Sequence, residues 1–281
     1  MIYLLLKGGL GNQLFQIFTL ISYSMRENQK YMLPFLPFSK RISIYWDTVF
    51  INLKNNSNII DNNIFKNIEY NKKYEEINFS YNEIKSLNNN NSNLLLNGYF
   101  QSYKYFINDY KYIYDFLNLN NLKNSVEPIY NNLITNNNTT ISLHFRLGDY
   151  KDLQNTHPVL PYEYYYKALK YLIKPNENYN VLYFCEEVDK DIVESIILKL
   201  KNKFVNINFI QCPFDIEDWK QMFLMSLCNN HIIANSTFSW WGAYFNDREK
   251  KVCYPSIWFG KNLQHQNTKD LFPSDWIEIK I

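Results

Sequence analysis

The sequence predicts an α/β protein whose strands run parallel and whose ligands gather at the strand ends. Three observations carry that prediction. From residue 139 onward, short apolar runs alternate with stretches long enough to be helices, the rhythm of successive strand–helix crossovers. The chain opens on an apolar run, 2–6, that passes straight into Gly8-Gly9-Leu10-Gly11, as a strand does when it feeds a tight turn and then a helix. Two later apolar runs end in segments suited to an anion. One is His144-Phe145-Arg146-Leu147-Gly148-Asp149-Tyr150, with a guanidinium; the other is Asn235-Ser236-Thr237-Phe238-Ser239-Trp240-Trp241-Gly242, with hydroxyls and small-residue backbone N–H groups. Two such ends lying side by side in a parallel sheet converge on one phosphorylated ligand.

Taken in order, the run 2–6 is a buried first strand. A helix follows the glycine turn, because Leu14, Ile17, Phe18, Ile21 and Met25 recur at helical spacing. Residues 53–93 are dense in Asn, Lys and Ile and read as partly irregular surface with weak helices. A short strand over 94–96 leads to Gly98-Tyr99-Phe100-Gln101-Ser102, and a helix runs through Tyr110 and Phe116. The polar stretch 131–140, with Asn136-Asn137-Asn138, is the linker, dividing the chain into 1–138 and 139–281. The second half then reads strand 141–145, helix from Pro161 through Leu172, strand 181–185, helix 189–201, strand 206–210, helix 218–228, strand 231–234 and a final strand 251–254.

Bulk properties narrow the function. The 281 residues accommodate two modest domains, and a formal net charge of +2 argues against a nucleic-acid groove. The first apolar run has no basic region before it and is too short to span a bilayer, so neither a secretory signal nor a membrane span is expected. Cys185, Cys212, Cys228 and Cys253 form no C-x-x-C pair, so neither a zinc site nor a disulfide framework is expected. The expectation is a soluble protein of the cytoplasm.

Arg146 is the leading functional candidate. When a sugar leaves a nucleoside diphosphate, negative charge grows on the diphosphate, and a planar guanidinium can hold two of its oxygens at once. The bland alternative is an ion pair with Asp149. Asp149 is either a general base for the incoming hydroxyl or the group that holds Arg146. His144 is either a core histidine or a catalyst, and His157, in a polar loop before Pro158, is a further acid/base candidate. The segment of Asn235, Ser236, Thr237, Phe238 and Ser239 reads as a helix start, where free N–H groups favour an anion, or as an ordinary cap. Trp240-Trp241 reads as an anchor in the core rather than a platform for a base. Gly8–Gly11 evokes a dinucleotide loop but has Asn12-Gln13 where a third glycine belongs, which suits contact with a sugar better. Asp189-Lys190-Asp191 matches a D-x-D metal pattern, yet it opens a helix, where acids complement the dipole; no metal site is expected, and Arg146 would then take the electrostatic task a divalent ion performs elsewhere.

With those residues in view, the chain resembles glycosyltransferase family 11, the α-1,2-fucosyltransferases. The resemblance rests on 8–16, on Gly98 through Phe106, on His144–Tyr150, on Pro161-Tyr162-Glu163-Tyr164-Tyr165, on Phe184-Cys185-Glu186-Glu187, and on Leu224 through Tyr244. It implies a GT-B-type fold, two Rossmann-like halves with the active cleft between them. It further implies GDP-fucose as donor, inversion at the fucose carbon, a terminal galactoside or similar sugar on a glycan as acceptor, and no required metal or cofactor. Carried over, Arg146 grips the diphosphate, residues 235–239 complete the donor site, and Gly11, Asn12 and Gln13 close it from the first half. Gln101 and His157 are candidates for the acceptor side. The chain departs from the family at Leu147, where a second arginine is frequent, and at Phe100, where tryptophan is more usual. Rival readings are a GDP-fucose transferase of another linkage, α-1,6 or protein O-linked, and a non-catalytic glycan-binding protein on the same fold.

Overall fold

A computed structural model describes residues 1–35, 45–56, 58–86 and 92–281; the remainder of the Asn-rich stretch 53–93, residues 57 and 87–91, lies outside them. The chain forms two compact units, residues 1–121 with 266–273, and residues 122–265 with 274–281.

The first unit is a five-stranded sheet in the order β3-β2-β1-β5-β4. Its strands are β1 (Ile2–Leu4), β2 (Tyr31–Phe35), β3 (Ile59–Asp61), β4 (Lys72–Glu75) and β5 (Leu94–Asn97), every pairing parallel. Helix α1 (Leu10–Arg26) is buried along almost its whole length, and its Phe18 ring meets Phe106 edge-on at 5.2 Å. Two short helices, α2 (Ile51–Asn55) and α3 (Asn62–Lys66), and then α4 (Tyr110–Phe116) complete this part. β2, β3 and β4 are additions to the sequence reading. β4 is Lys-Lys-Tyr-Glu at the edge of the sheet, and a charged edge strand shows no apolar alternation. The segment 266–273 belongs here because Asp270 binds it: its carboxylate accepts from Tyr81 N at 3.1 Å and from Lys104 Nζ, and its backbone oxygen accepts from Ser102 Oγ at 2.6 Å.

The second unit is a six-stranded sheet in the order β11-β10-β9-β6-β7-β8, built from β6 (Thr139–His144), β7 (Tyr179–Phe184), β8 (Ile207–Gln211), β9 (Asn230–Ile232), β10 (Val252–Pro255) and β11 (Ile277–Ile279). All pairings are again parallel. Helices α6 (Tyr162–Leu172), α7 (Lys190–Lys201), α8 (Asp218–Leu227) and α9 (Thr237–Tyr244) connect the strands. Ile141, Leu143 and Phe145 alternate along β6 into a core shared with α6 and α7, so Ser142 and His144 face the other side of the sheet. The buried Tyr164 hydroxyl donates to Ile233 O (2.5 Å) and Cys253 O (3.1 Å), pinning the ends of β9 and β10 together.

Two boundaries differ from expectation. The strand at 252–255 is not the last: β11 follows, only three residues long and too short to register as a pattern. The units divide at 121/122 rather than at 138/139. The reason lies in helix α5 (Leu119–Leu133): its Lys123 ammonium bonds Asp247 (2.9 Å) and Phe245 O, and Tyr130 OH donates to Thr140 Oγ1 (2.8 Å). Most of the helix is therefore tied to the second sheet.

Candidate functional site

β6 and β9 are direct neighbours, in register from Ile141↔Asn230 to Leu143↔Ile232. The Arg146 loop and the 235–239 segment therefore leave the same end of the sheet side by side, the condition on which the sequence argument for a shared ligand depends. Two contacts join them: Tyr150 OH donates to Asn235 O at 3.2 Å, and the His144 ring lies 5.6 Å from that of Phe238.

The Arg146 side chain is 26% exposed, so a ligand can reach it. Its Nη2 donates to the Asp149 carboxylate and its Nη1 to that of Glu186; its Cζ lies 4.9 Å from the Tyr150 ring centroid, a cation–π distance. Glu186 is the residue the sequence reading missed as a site member. It follows β7, the other neighbour of β6, and an acid just past the adjacent strand is the signal that points to it. The loop itself hangs on Asp189, which is fully buried: one oxygen accepts from Gly148 N and the other from Lys151 Nζ, each at 2.7 Å. Asp189 therefore works inside the unit, while Asp191 sits exposed at the start of α7. Among the described residues no group of three or more His, Cys, Asp or Glu side chains stands as a ligand set. Gly148 has φ +42°, a conformation that favours glycine, and a Cβ there would meet both Glu186 oxygens at 3.0 Å, so that the Glu186 side chain would have to shift.

His144 is buried, and desolvation, then the Arg146 charge, lowers its pKa to about 3; it is a neutral imidazole, and its Nδ1 meets no partner among the described residues. His157 stacks on Tyr150 at 5.0 Å and lies 5.8 Å from Phe259. Its pKa is lowered, first by burial, with Asp149 raising it and Arg146 lowering it. His157 thus stands over the Arg146 loop as a neutral acceptor or donor. Leu147, at the position of the family's frequent second arginine, is buried in the α6 core.

Within 235–239 the residues divide. Asn235 and Ser239 are each only 2% exposed and build the segment. Asn235 Nδ2 donates to Pro158 O (2.9 Å) and Trp258 O (3.3 Å), and Ser239 Oγ accepts from Ala234 N and donates to Ser236 O. Ser236 caps α9, its hydroxyl accepting from Phe238 N at 3.3 Å. Ser236, Thr237 and Phe238 are the half-exposed members, set at a helix start. Trp240 and Trp241 are fully buried, Trp240 stacked on Tyr244 at 4.5 Å, and so anchor the helix.

In the first unit the glycine loop is closed by amides. Gln16 accepts from Lys7 N (3.0 Å) and donates to Lys7 O (2.8 Å) and Asn12 O (2.9 Å); Gln13 Nε2 donates to Gly8 O (2.9 Å). Gly8 has φ +73°, and a Cβ there would fall 2.3 Å from Asn12 Nδ2. Gly11 and Gln13 are buried, whereas Asn12 is half-buried with its Oδ1 held by Gln101 Nε2 at 2.8 Å. Of the three residues expected at the donor from this unit, Asn12 has the side chain nearest the surface, and the structure pairs it with the acceptor candidate Gln101. Phe100, where the family more often has tryptophan, is buried at φ +52° and lies flat against Tyr74 at 6.2 Å.

Among the described residues no helix is long and apolar enough to cross a membrane. The family model described as glycosyl transferase family 11 matches residues 1–280. An alpha-1,2-colitosyltransferase of Escherichia coli is 25% identical over 297 aligned positions, covering 98% of this chain and 97% of that protein. The O-antigen biosynthesis glycosyltransferase WbnK of Escherichia coli is 37% identical over 155 residues, 54% of this chain but only 48%, about half, of that relative's length. The crystal structure of a glycosyl transferase family 9 protein from Veillonella parvula superposes over the whole chain and 85% of its own, with TM-score 0.53 at 9% identity, a likeness of fold.

Proposed function

The chain belongs to glycosyl transferase family 11, and from that premise we propose that it transfers fucose from GDP-fucose to the 2-hydroxyl of a terminal galactoside or similar sugar on a glycan, with inversion and without a metal. The observation that carries the reading is the adjacency of β6 and β9, which sets Arg146 beside the start of α9. The acceptor oxygen attacks the anomeric carbon as the bond to the β-phosphate oxygen breaks. The electron pair leaves with the diphosphate, where the Arg146 guanidinium and the N–H groups around Ser236–Phe238 meet it. Holding this charge is the main task of the protein, because a sugar diphosphate is already a good leaving group once its charge is stabilised.

A second reading concerns the donor sugar alone. The colitosyltransferase relative aligns along 98% of the chain, which favours an α-1,2 transfer with colitose in place of fucose. Both readings use the same diphosphate contacts and differ only in what the sugar pocket accepts.

The test is a titration of GDP-fucose in excess EDTA, with GDP-mannose and UDP-galactose as controls, followed by GDP release in the presence of a β-galactoside and linkage analysis of the product. Fucose-selective binding and an α-1,2 product are expected. Binding of GDP with indifference to fucose moves the donor to the colitose reading. No binding of any GDP-sugar withdraws the donor assignment and favours a glycan-binding protein.

A further inference from the structure

Arg146 meets two carboxylates, and they are not equivalent. Asp149 lies three residues on, in the 3-10 turn Gly148–Asp152 that directly follows Arg146; it belongs to the same loop and accompanies Arg146 wherever the loop goes. Glu186 comes from a different strand end, after β7. It occupies the N-cap position of the short turn Glu187–Asp189, yet its side chain makes no capping bond, although a carboxylate there ordinarily accepts the turn's N–H groups. It reaches Arg146 instead, and the absence of a side chain at Gly148 makes room for it. The Glu186 side chain is also half exposed, at 51%, so it is free to swing.

Two carboxylates on one guanidinium leave the cluster with a net charge of −1. A diphosphate does not settle on that arrangement; one carboxylate has to give way, and the one held by a separate element is Glu186. Resting on the reading that Arg146 binds the donor diphosphate, we propose that Glu186 is the general base of the transfer, occupying the place of the diphosphate on Arg146 until the donor displaces it. Once the guanidinium turns to the phosphate oxygens, Glu186 loses its cation partner at the moment the acceptor hydroxyl needs a proton acceptor beside the same site. The step balances: the acceptor O–H proton passes to the Glu186 carboxylate, the acceptor oxygen bonds to the anomeric carbon, and the bond to the β-phosphate oxygen breaks with its electron pair going to GDP. The exchange also orders the reaction, because the base is released only when the donor is in place.

The experiment compares wild type with Glu186→Gln, which keeps shape and removes the charge, by GDP titration and by steady-state transfer, with thermal melting as the check on folding. The expected result is a split: GDP binds several-fold more tightly, since its competitor for Arg146 is gone, while kcat falls by about 10²–10⁴-fold, the usual contribution of a positioned base. An unchanged kcat overturns the proposal. So does a parallel loss of GDP affinity and kcat, which marks Glu186 as a fixed support for Arg146. If wild type itself binds no GDP, it is the donor reading that fails, a result distinct from either.

Discussion

The loop after β1 and the loop after β6 both leave the end of a central parallel strand and both turn through a glycine at positive φ, Gly8 and Gly148. The first is shaped by neutral amides, Gln13 donating to Gly8 O and Gln16 to Lys7 O and Asn12 O, while its Lys7 ammonium bonds the Asn97 side chain at the end of β5. The second is held by charge: Asp189 from beneath, Asp149 and Glu186 around Arg146. Amide bonds fix a backbone without attracting an ion, so the Gln13 and Gln16 bonds set the shape of the first loop rather than its charge. Charged bonds can be exchanged for those of an incoming anion, so it is the second loop to which the proposed function gives the diphosphate.

The largest expected effect breaks the charged loop at its working group. On the proposed function, Arg146→Ala removes one preorganised contact to the leaving group, on the order of 3 kcal/mol or roughly a hundredfold in rate, while the fold persists. GDP release with a β-galactoside acceptor reads it; near-normal turnover shows that charge stabilisation lies elsewhere.

Next come the two supports. Asp189→Ala strips the acceptor from Gly148 N and from the Lys151 ammonium, and a buried group left unsatisfied costs about 1–3 kcal/mol. Lys151 is 41% exposed and recovers water, so the lower half of that range is expected. GDP affinity should fall with it, because the Arg146 loop loses its floor. Gln16→Ala removes three neutral bonds from the other loop and lowers stability by about 1–2 kcal/mol with GDP affinity little changed. Urea denaturation paired with GDP titration of both variants tests the contrast: equal loss of GDP affinity in the two would erase the division of labour.

This contrast also explains what could be read from the sequence. The Arg146 loop, the 235–239 cap and the alternating second half were legible because their strands are apolar runs that end in chemically distinctive residues. β6, β7 and α6 through α8 accordingly fall close to their predicted spans, and α9 starts within the predicted cap segment. Glu186 and Asp189 were not legible as parts of the site, because they reach it through strand order: only the parallel pairing of β6 with β7 brings Glu186 to Arg146. The first half was less readable for a different reason. β4 has no apolar face of its own, and β2 and β3 are short runs whose burial is set by neighbours. Asn235 and Ser239 look like ligand contacts in sequence, but their side-chain bonds in the structure serve the turn.

The smallest effect separates buried neutrality from charge within the second unit. His144 stays neutral in the folded chain down to a pKa of about 3, against 6.5 for a free imidazole. Below 6.5 the unfolded chain takes up a proton that the folded chain refuses, so stability is fully present above 6.5 and is lost progressively as pH falls toward 3. The loss amounts to about 1 kcal/mol between pH ~6.5 and ~5.5 and approaches about 1.4 kcal/mol for each further unit. His231 is depressed in the same direction by burial, then by the Lys250, Arg248 and Lys123 charges, and His157 by burial, so in wild type all three histidines add to the loss of stability as pH falls. His144→Phe should lose it with a slope shallower by up to one proton, measured as the pH dependence of the urea midpoint between pH ~5 and ~7. An unaltered slope means that His144 is already charged in the folded protein, sitting beside Arg146 as a second cation. The anion site would then owe its attraction to a pair of positive groups rather than to one guanidinium balanced by two carboxylates.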